Sequence, residues 1–178
     1  MLLRNSAEHD VAAIQSIYEH WVRNGTGSFE LDPPDQTEIA KRRDDVLARG
    51  LPYLVAEQGG KVMGYAYANW FRPRPAYRFT VENSVYVHPD AHRMGVARLL
   101  MSELLSRCEQ CGARQMIAVI GDSANVKSIS FHTEMGFTHM GTLHATGWKF
   151  DRWLDTVLMQ KPLGLGATVA APRDDFSR

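Results

Sequence analysis

The stretch VHPDAHRMGVARLL, residues 87–100, joins a strand to a helix, and the fold assignment depends on it. Residues 78–87 alternate and are rich in β-branched and aromatic side chains, which predicts a strand. The leucine-rich segment that follows predicts a helix beginning at Gly95, with the small Ala97 two residues later. A helix N-terminus presents unpaired N–H groups and the positive end of the helix dipole, so small residues there let a phosphate reach the backbone.

A single glycine does not decide between two interpretations of this turn. The stretch lacks both the Lys-Ser/Thr ending of a nucleotide-binding loop and the three glycines of the dinucleotide fingerprint. In an ordinary strand-to-helix turn, Gly95 would only ease the backbone geometry. In an anion site, His92, Arg93 and Arg98 would add positive charge. From the residues alone, both interpretations stay open.

The rest of the chain predicts one α+β domain. A single mixed sheet flanked by helices is expected over residues 1–163, and a disordered tail over residues 164–178. Hydrophobic periodicity and turn residues predict strands over 1–5, 52–71 (a hairpin), 78–87 and 114–120, two final strands, and helices over 8–23, 35–50, 95–110 and 125–135.

Composition narrows the class of protein. The 178 residues fit one domain, 44% of them are apolar, and Lys plus Arg equals Asp plus Glu. This balance gives no general electrostatic reason to expect a nucleic-acid partner, and no apolar run approaches the roughly 18 residues of a membrane helix. The N-terminus is too short and too charged for a signal peptide. We therefore expect a cytoplasmic protein, and in a reducing compartment Cys108 and Cys111 are expected to be structural rather than redox-active or zinc-binding.

The element order and the turn together resemble the GNAT superfamily of acetyl-CoA-dependent acetyltransferases. The superfamily signature is Gln/Arg-x-x-Gly-x-Gly/Ala, which HRMGVA matches at Gly95 and Ala97, with His92 where Gln or Arg is usual. The resemblance implies that backbone amides of the turn hold the CoA pyrophosphate and that the end of the preceding strand hydrogen-bonds the pantetheine arm. The residues so implicated are Arg93, Met94, Gly95, Val96, Ala97 and Arg98 in the turn, and Val85, Tyr86 and Val87 in the strand.

Three longer blocks resemble a narrower group, the phosphinothricin and methionine-sulfoximine N-acetyltransferases. They are RPAYRFTVENSVYVHPDAHRMGVARLL, QMIAVIGDSANVKSISFHTEMGF and GWKFDRWLDTVLMQ, and the likeness runs through about residues 2–162. This resemblance implies acetylation of the α-amine of a small amino acid or amino-acid analogue, with acetyl-CoA as co-substrate and no metal. It also implies a homodimer, for which Trp148, Phe150 and Trp153 would supply either an apolar interface or part of the core.

Acetyl transfer to an amine needs a base, because a free α-amine is largely protonated at neutral pH. Glu82 is the carboxylate in the strand before the turn. By position alone it is equally a solvated strand residue, and the resemblance implies that it is the base. The resemblance also implies an active-site role for His132, as proton donor or substrate-orienting group, and a contact of Asn125 with the CoA arm. From its position, Asn125 is also a plain helix N-cap.

For the acceptor, the resemblance implies a pocket formed by Arg72, Arg74 and Tyr77, with Phe29 from the loop over 25–35. Arginine forks suit carboxylate, phosphinate or sulfone oxygens, although a solvated basic loop would have the same sequence. Two other functions remain open: a GNAT enzyme acting on protein N-termini or polyamines, and a non-catalytic acyl-CoA-binding module. A polyamine site would be acidic, and a non-catalytic module would have no need of Glu82.

Overall fold

The computed structural model describes residues 1–91 and 93–171, so His92 and residues 172–178 lie outside the described residues. The described chain has the predicted α+β fold, with helices on both faces of one mixed sheet. Its elements are β1 (Leu2–Asn5), α1 (Val11–Asn24), α2 (Gln36–Ala48), β2 (Tyr53–Gln58), β3 (Lys61–Trp70), β4 (Thr80–Val87), α3 (Val96–Gln110), β5 (Gln115–Gly121), α4 (Val126–Glu134), β6 (Thr138–Lys149) and β7 (Arg152–Pro162). Within this part of the chain the sheet order is β1-β2-β3-β4-β5-β7-β6.

Short polar side chains set where the helices begin. The Asp35 carboxylate accepts a hydrogen bond from the Glu38 N–H at 2.8 Å and caps α2. Asn125 caps α4 in the same way through the Ser128 N–H at 3.3 Å. The helix expected from residue 8 starts instead with a 3-10 turn over Glu8–Asp10. There the Asp10 carboxylate accepts from the Ala7 N–H and from the Arg4 guanidinium, which ties this turn to β1.

Two pairs of helices cover opposite faces of the sheet. A Cβ at Gly64 of β3 would lie 3.0 Å from Val96 and 3.2 Å from Leu100, so α3 packs closely on that face. Side chains alternate along a strand, and the next residue, Tyr65, stacks on Tyr86 of β4. Tyr86 in turn meets Tyr18 of α1 at 5.0 Å between ring centroids. The α1 and α2 helices therefore cover the face opposite to α3.

The sheet opens between β4 and β5. Over residues 80–87 and 115–121, all of which are described, β4 and β5 pair in parallel only from Thr80–Gln115 to Glu82–Ile117. Beyond that point β4 remains paired with β3 as far as Val87, and β5 remains paired with β7 as far as Gly121. The two halves of the sheet thus separate just after Glu82 and leave a gap through the molecule.

The segment after β7 begins with hydrogen-bonded turns. The Gly166 N–H donates to the Leu163 carbonyl at 2.9 Å, and the Thr168 N–H donates to the Leu165 carbonyl at 3.0 Å. Leu163 is buried, which anchors the first turn to the core. The domain boundary at residue 163 and the disorder of the last residues remain predictions.

Candidate active site

A cavity of about 840 Å³ occupies the gap between β4 and β5. Its walls come from both faces of the sheet. On the α1 side they include Trp21, Gly25, Thr26, Gly27 and Glu82, and on the α3 side they include Asn83, Arg93, Gly95, Val96, Ala97, Arg98, Asn125 and His132; Val85, Tyr86 and Val87 line it along β4. The structure therefore brings nearly all of the predicted cofactor-side residues and both predicted catalytic residues to one cavity. Met94, the exception, is half exposed beside it.

The turn at the start of α3 has an uncommon backbone conformation. Gly95 has a φ of +76°, which favours glycine, and Arg93 has a φ of +63° although it carries a side chain. Among the described residues, no atom beyond Gly95 and its two chain neighbours lies within 4 Å of the place that a Cβ of Gly95 would occupy, so a side chain there would enter open space. Arg98, in the first turn of α3, is bound to Glu134 of α4 and so links the two helices beside the cavity.

Glu82 stands at the point where the two strands part. It lies on the α1 face, because Glu82, Ser84 and Tyr86 share one side of β4 by alternation. Burial raises the pKa of the Glu82 carboxyl, and the positive charge of Arg72 offsets part of that rise. A carboxylate with a raised pKa, facing a cavity, is suited to take a proton from an amine near neutral pH.

His132 is buried on the opposite face and is held in one tautomer. Its Nδ1 lies 2.8 Å from the Ser128 carbonyl oxygen, which only accepts, so Nδ1 carries the proton. Nε2 then accepts from the Asn83 amide at 3.0 Å. Burial lowers the pKa of His132, and the hydrogen bond to the Ser128 carbonyl opposes this shift in part. The lowered pKa favours the neutral ring. The Asn83 Oδ1 is buried without a hydrogen-bond partner among the described residues.

A family model describing the "Acetyltransferase (GNAT) family" matches residues 14–137 of this chain. The chain belongs to the GNAT acetyltransferase family. The matched segment contains the α3 turn, Glu82 and His132, and it ends just before β6. The resemblance and the fold predicted from the sequence are thereby confirmed.

Individual GNAT relatives agree with this assignment. The chain is 55% identical to a phosphinothricin N-acetyltransferase of Alcaligenes faecalis, over 90% of this chain and 82% of the relative. It is 37% identical to an L-methionine sulfoximine/L-methionine sulfone acetyltransferase of Salmonella typhimurium, over 92% of this chain and 95% of the relative. Among solved structures, a phosphinothricin acetyltransferase from Sinorhizobium meliloti in complex with AcCoA superposes with a TM-score of 0.94 and 44% identity, over 99% of this chain and 95% of that one.

None of the four predicted acceptor residues is among those that line this GNAT cavity. Arg72 is exposed and lies over the Phe71 ring, with its charge acting on Glu82. Tyr77 packs edge-to-face on the same ring at 5.9 Å between centroids, and Arg74 is exposed just before it. The Phe29 ring lies against the Cα atoms of Gly121 and Gly147, where a Cβ would come within 2.8 and 2.5 Å of it.

Several residues at the site were not predicted from the sequence. The Trp21 indole donates to the Val87 carbonyl at 2.8 Å and so fixes α1 to the end of β4. Arg152, at the start of β7, also lines the cavity and binds Asp122 at 2.5 Å. No local sequence pattern indicates these contacts, because each joins segments that are far apart along the chain. Asn83, in contrast, had a local signal, because it is an amide next to Glu82 in a strand whose other polar side chains are the hydroxyls of Thr80 and Ser84.

Other expectations concern metals, cysteines and membranes. In the ranges 1–91 and 93–171, no group of three or more His, Cys, Asp or Glu side chains is arranged to hold a metal ion. Cys108 is free and buried, and burial raises the pKa of its thiol to about 12, whereas Cys111 is free and exposed. No helix of the described chain is long and apolar enough to cross a membrane.

Proposed function

We propose that this enzyme transfers the acetyl group of acetyl-CoA to the α-amine of a small amino acid or amino-acid analogue of the phosphinothricin, methionine sulfoximine or methionine sulfone type. The observation that carries the proposal is the position of Glu82, half-buried with a raised pKa at the mouth of the gap between β4 and β5. The names of the relatives support the choice of acceptor.

We assign the α3 side of the cavity to acetyl-CoA. The open helix end at Gly95 offers backbone N–H groups to the pyrophosphate, and Arg93 adds positive charge. Past Glu82, the edge of β4 that faces β5 has no strand partner in residues 83–87. The backbone groups of Val85 and Val87 point to this edge and can pair with the amides of the pantetheine arm, whereas those of Tyr86 point to β3. Asn125 borders the same space while it caps α4. Acetyl-CoA supplies the thioester, and the chain holds and orients it.

We assign the α1 side to the acceptor, because Glu82 faces that side. The Glu82 carboxylate takes a proton from the ammonium group, directly or through water, and so frees the amine to attack the thioester carbon. Charge then develops on the carbonyl oxygen, where a backbone N–H at the end of β4, near Tyr86 or Val87, stabilises it. The carbon–sulfur bond then breaks, the nitrogen gives up its second proton to become the amide, and the departing thiolate takes up a proton through solvent.

Of the two roles predicted for His132, its contacts support the orienting one. In the neutral ring, Nδ1–H is engaged with Ser128 and Nε2 is engaged with Asn83, so no ring proton points at the cavity. His132 instead fixes the Asn83 amide, and the free Asn83 Oδ1 becomes an acceptor for a donor on a bound reactant. We propose that His132 acts through Asn83.

The proposed acceptor preference is tested by a thiol-release screen. Phosphinothricin, methionine sulfoximine and methionine sulfone each carry side-chain oxygens that an arginine can bind, whereas methionine leaves those donors unpaired. We expect methionine to react worse by orders of magnitude. Arg74→Ala is expected to remove much of this difference and leave acetyl-CoA affinity unchanged, with Arg23→Ala on the exposed end of α1 as the matched control.

The same screen decides between this function and the alternatives. A peptide or spermidine that outruns every amino-acid analogue would replace the acceptor and leave the acetyltransferase in place. Binding of acetyl-CoA without thiol release for any amine would indicate a non-catalytic acyl-CoA-binding module.

The proposal also includes a homodimer in the cytoplasm that has no nucleic-acid or membrane partner. Support for the homodimer comes from three aromatic side chains on the β6–β7 hairpin that are all at least half exposed, Trp148, Phe150 and Trp153.

A further inference from the structure

Lys149, the last residue of β6, is a buried cation that the proposed reaction does not use. Its side chain is 4% exposed, and it is not among the residues that line the cavity. The ammonium donates to the carbonyl oxygen of Gly25 at 3.0 Å and to that of Ser28 at 2.8 Å. It also lies 5.0 Å from the centroid of the Phe150 ring. Lys149 thus holds both ends of the segment Gly25–Ser28 between α1 and α2.

The burial of this ammonium is unfavourable in itself. Taking an ion out of water costs several kcal/mol unless hydrogen bonds and charges compensate it. No carboxylate of the described residues forms an ion pair with Lys149. Glu30 is the acidic residue whose charge acts on Lys149, and its own ion pair is with Arg42, at 2.6 Å. Burial lowers the pKa of Lys149 and the charge of Glu30 opposes this. An apolar side chain would avoid the desolvation cost, so the two carbonyl contacts are what the lysine contributes.

The segment held by Lys149 forms part of the active-site wall. Gly25, Thr26 and Gly27 line the cavity. The Thr26 carbonyl sits directly on Gly121 at the end of β5, where a Cβ would lie 2.0 Å from its oxygen. This wall is on the α1 side of the sheet, which is the side that Glu82 faces. The segment has two glycines and no regular secondary structure, so its position depends on such contacts.

We propose that Lys149 is a positioning residue that sets acceptor affinity and selectivity by fixing the segment Gly25–Ser28 as the wall of the acceptor site. The proposal rests on the assignment of the α1 side to the acceptor. It predicts weaker acceptor binding in a Lys149 variant, because the segment forms the acceptor wall. It predicts unchanged acetyl-CoA binding, because the segment lies across the sheet from the α3 turn.

The test compares Lys149→Met with Lys41→Met, the same change at an exposed residue of α2. For Lys149→Met we expect the KM for the acceptor to rise by about tenfold or more, since two charge-assisted hydrogen bonds are lost. The selectivity for methionine sulfone over methionine should fall. The acetyl-CoA Kd in calorimetry should not change, and amide hydrogen exchange should accelerate in residues 24–31 alone. Lys41→Met should match the wild type in all four measurements.

The acceptor in this test is the amine that reacts fastest in the thiol-release screen. If that amine is a peptide or a polyamine, the proposed amino-acid substrate is wrong, but the test of Lys149 can still be made with the amine that was found. An unchanged acceptor KM in folded Lys149→Met would overturn the proposal, whether or not the segment exchanges faster. Equal losses of acceptor and acetyl-CoA affinity would also overturn it, since they indicate a general structural role. If Lys149→Met does not fold, Lys149→Gln keeps a neutral donor and should show the same selective effect at smaller size.

Discussion

Glu82 is subject to opposite demands from stability and from catalysis. Burial raises the pKa of its carboxyl, with Arg72 opposing. The folded protein therefore keeps the proton at pH values where the unfolded chain has lost it. Because of this, the free energy of unfolding falls as the pH rises from the usual glutamate range to the folded-state pKa, and the cost of the ionised carboxylate is constant above that pKa. The same shift brings the carboxylate closer to the strength that a base needs near neutral pH.

We predict that Glu82→Gln lowers kcat/KM by about 100-fold or more near neutral pH, as expected for loss of a general base. The deficit should shrink as the pH rises and free amine becomes abundant, and acetyl-CoA affinity should stay the same. The variant should also have a free energy of unfolding at least as high as that of the wild type at neutral pH. Any such gain should disappear in acid, where Glu82 of the wild type is protonated in both the folded and the unfolded state. Rate profiles and calorimetric unfolding against pH check both parts, with the exposed Glu8→Gln as control. Wild-type activity of Glu82→Gln at pH 7 would exclude Glu82 as the base.

At the scale of single residues, the sequence could indicate which side chains take part in the chemistry but not which residues they contact. Glu82 and His132 were found from the resemblance, and both line the cavity. The pairing of His132 with Asn83 joins β4 to α4, and the contact of Lys149 with Gly25 joins residues 124 positions apart in the chain. Such contacts depend on tertiary packing, to which local sequence patterns are insensitive.

At the scale of elements, the start of α3 is notable for two residues with positive φ, Arg93 and Gly95. A residue other than glycine with positive φ, such as Arg93, is strained by on the order of 1–3 kcal/mol and persists where the surroundings enforce it. Together with Gly95 it turns the backbone so that the helix end faces open space. This geometry is typical of an anion-binding turn.

We predict that Gly95→Glu abolishes acetyl-CoA binding and leaves the fold intact, because the new side chain puts bulk and negative charge in that open space. Two controls separate charge from backbone strain. Gly95→Ala imposes the same strained φ without charge and should retain measurable binding. Gly50→Glu places the same side chain at another open glycine with positive φ, +69°, after α2, and should bind like the wild type. Calorimetry with acetyl-CoA measures all three, and undiminished affinity of folded Gly95→Glu would show that the pyrophosphate binds elsewhere.

The order of the helices and strands was predictable, but their arrangement was only partly so. The capping pair of Asp35 and Glu38 and the alternation of residues 80–87 are local signals, and both predictions are confirmed. The position of β7 between β5 and β6, and the separation of β4 from β5 after Glu82, are set by long-range pairing. The gap that forms the cavity is therefore a property of the sheet, which no single segment encodes.

For the whole molecule, the cavity through the sheet is open to both faces, and we propose one face for each reactant. The α3 turn and His132 belong to one face, and Glu82 and the segment Gly25–Ser28 belong to the other. In this proposal acetyl-CoA brings the thioester into the cavity from the α3 face, and the acceptor amine reaches it from the α1 face. This division explains why substitutions on the two faces should affect acetyl-CoA and acceptor separately, as expected for Gly95→Glu and Lys149→Met.

The long β6–β7 hairpin at the edge of the sheet carries an apolar surface. Trp148 and Trp153 are opposite each other in the register, with ring centroids 5.2 Å apart, and Phe150 lies in the turn between them. They are 53%, 63% and 50% exposed, respectively. An aromatic side chain can bury about 150–250 Å², and a stable dimer buries on the order of 1,200–2,000 Å² in total. Because each of these side chains is already about half buried within its own chain, three from each copy would supply part of that area, and neighbouring residues of the hairpin would supply the rest.

We predict that the wild-type protein has the mass of a dimer in light scattering and that Trp153→Arg has the mass of a monomer. Placing a cation at the most exposed of the three rings would bury an unpaired charge in the interface, which costs more than the loss of apolar contact alone. Trp70→Arg is the matched control, because Trp70 is also half exposed but ends β3, on the other side of β4 from the hairpin. A dimer that withstands Trp153→Arg but dissociates with Trp70→Arg would move the interface to the β3 end of the sheet. A wild-type monomer at all concentrations would leave the three aromatic side chains as surface residues of a single-chain enzyme.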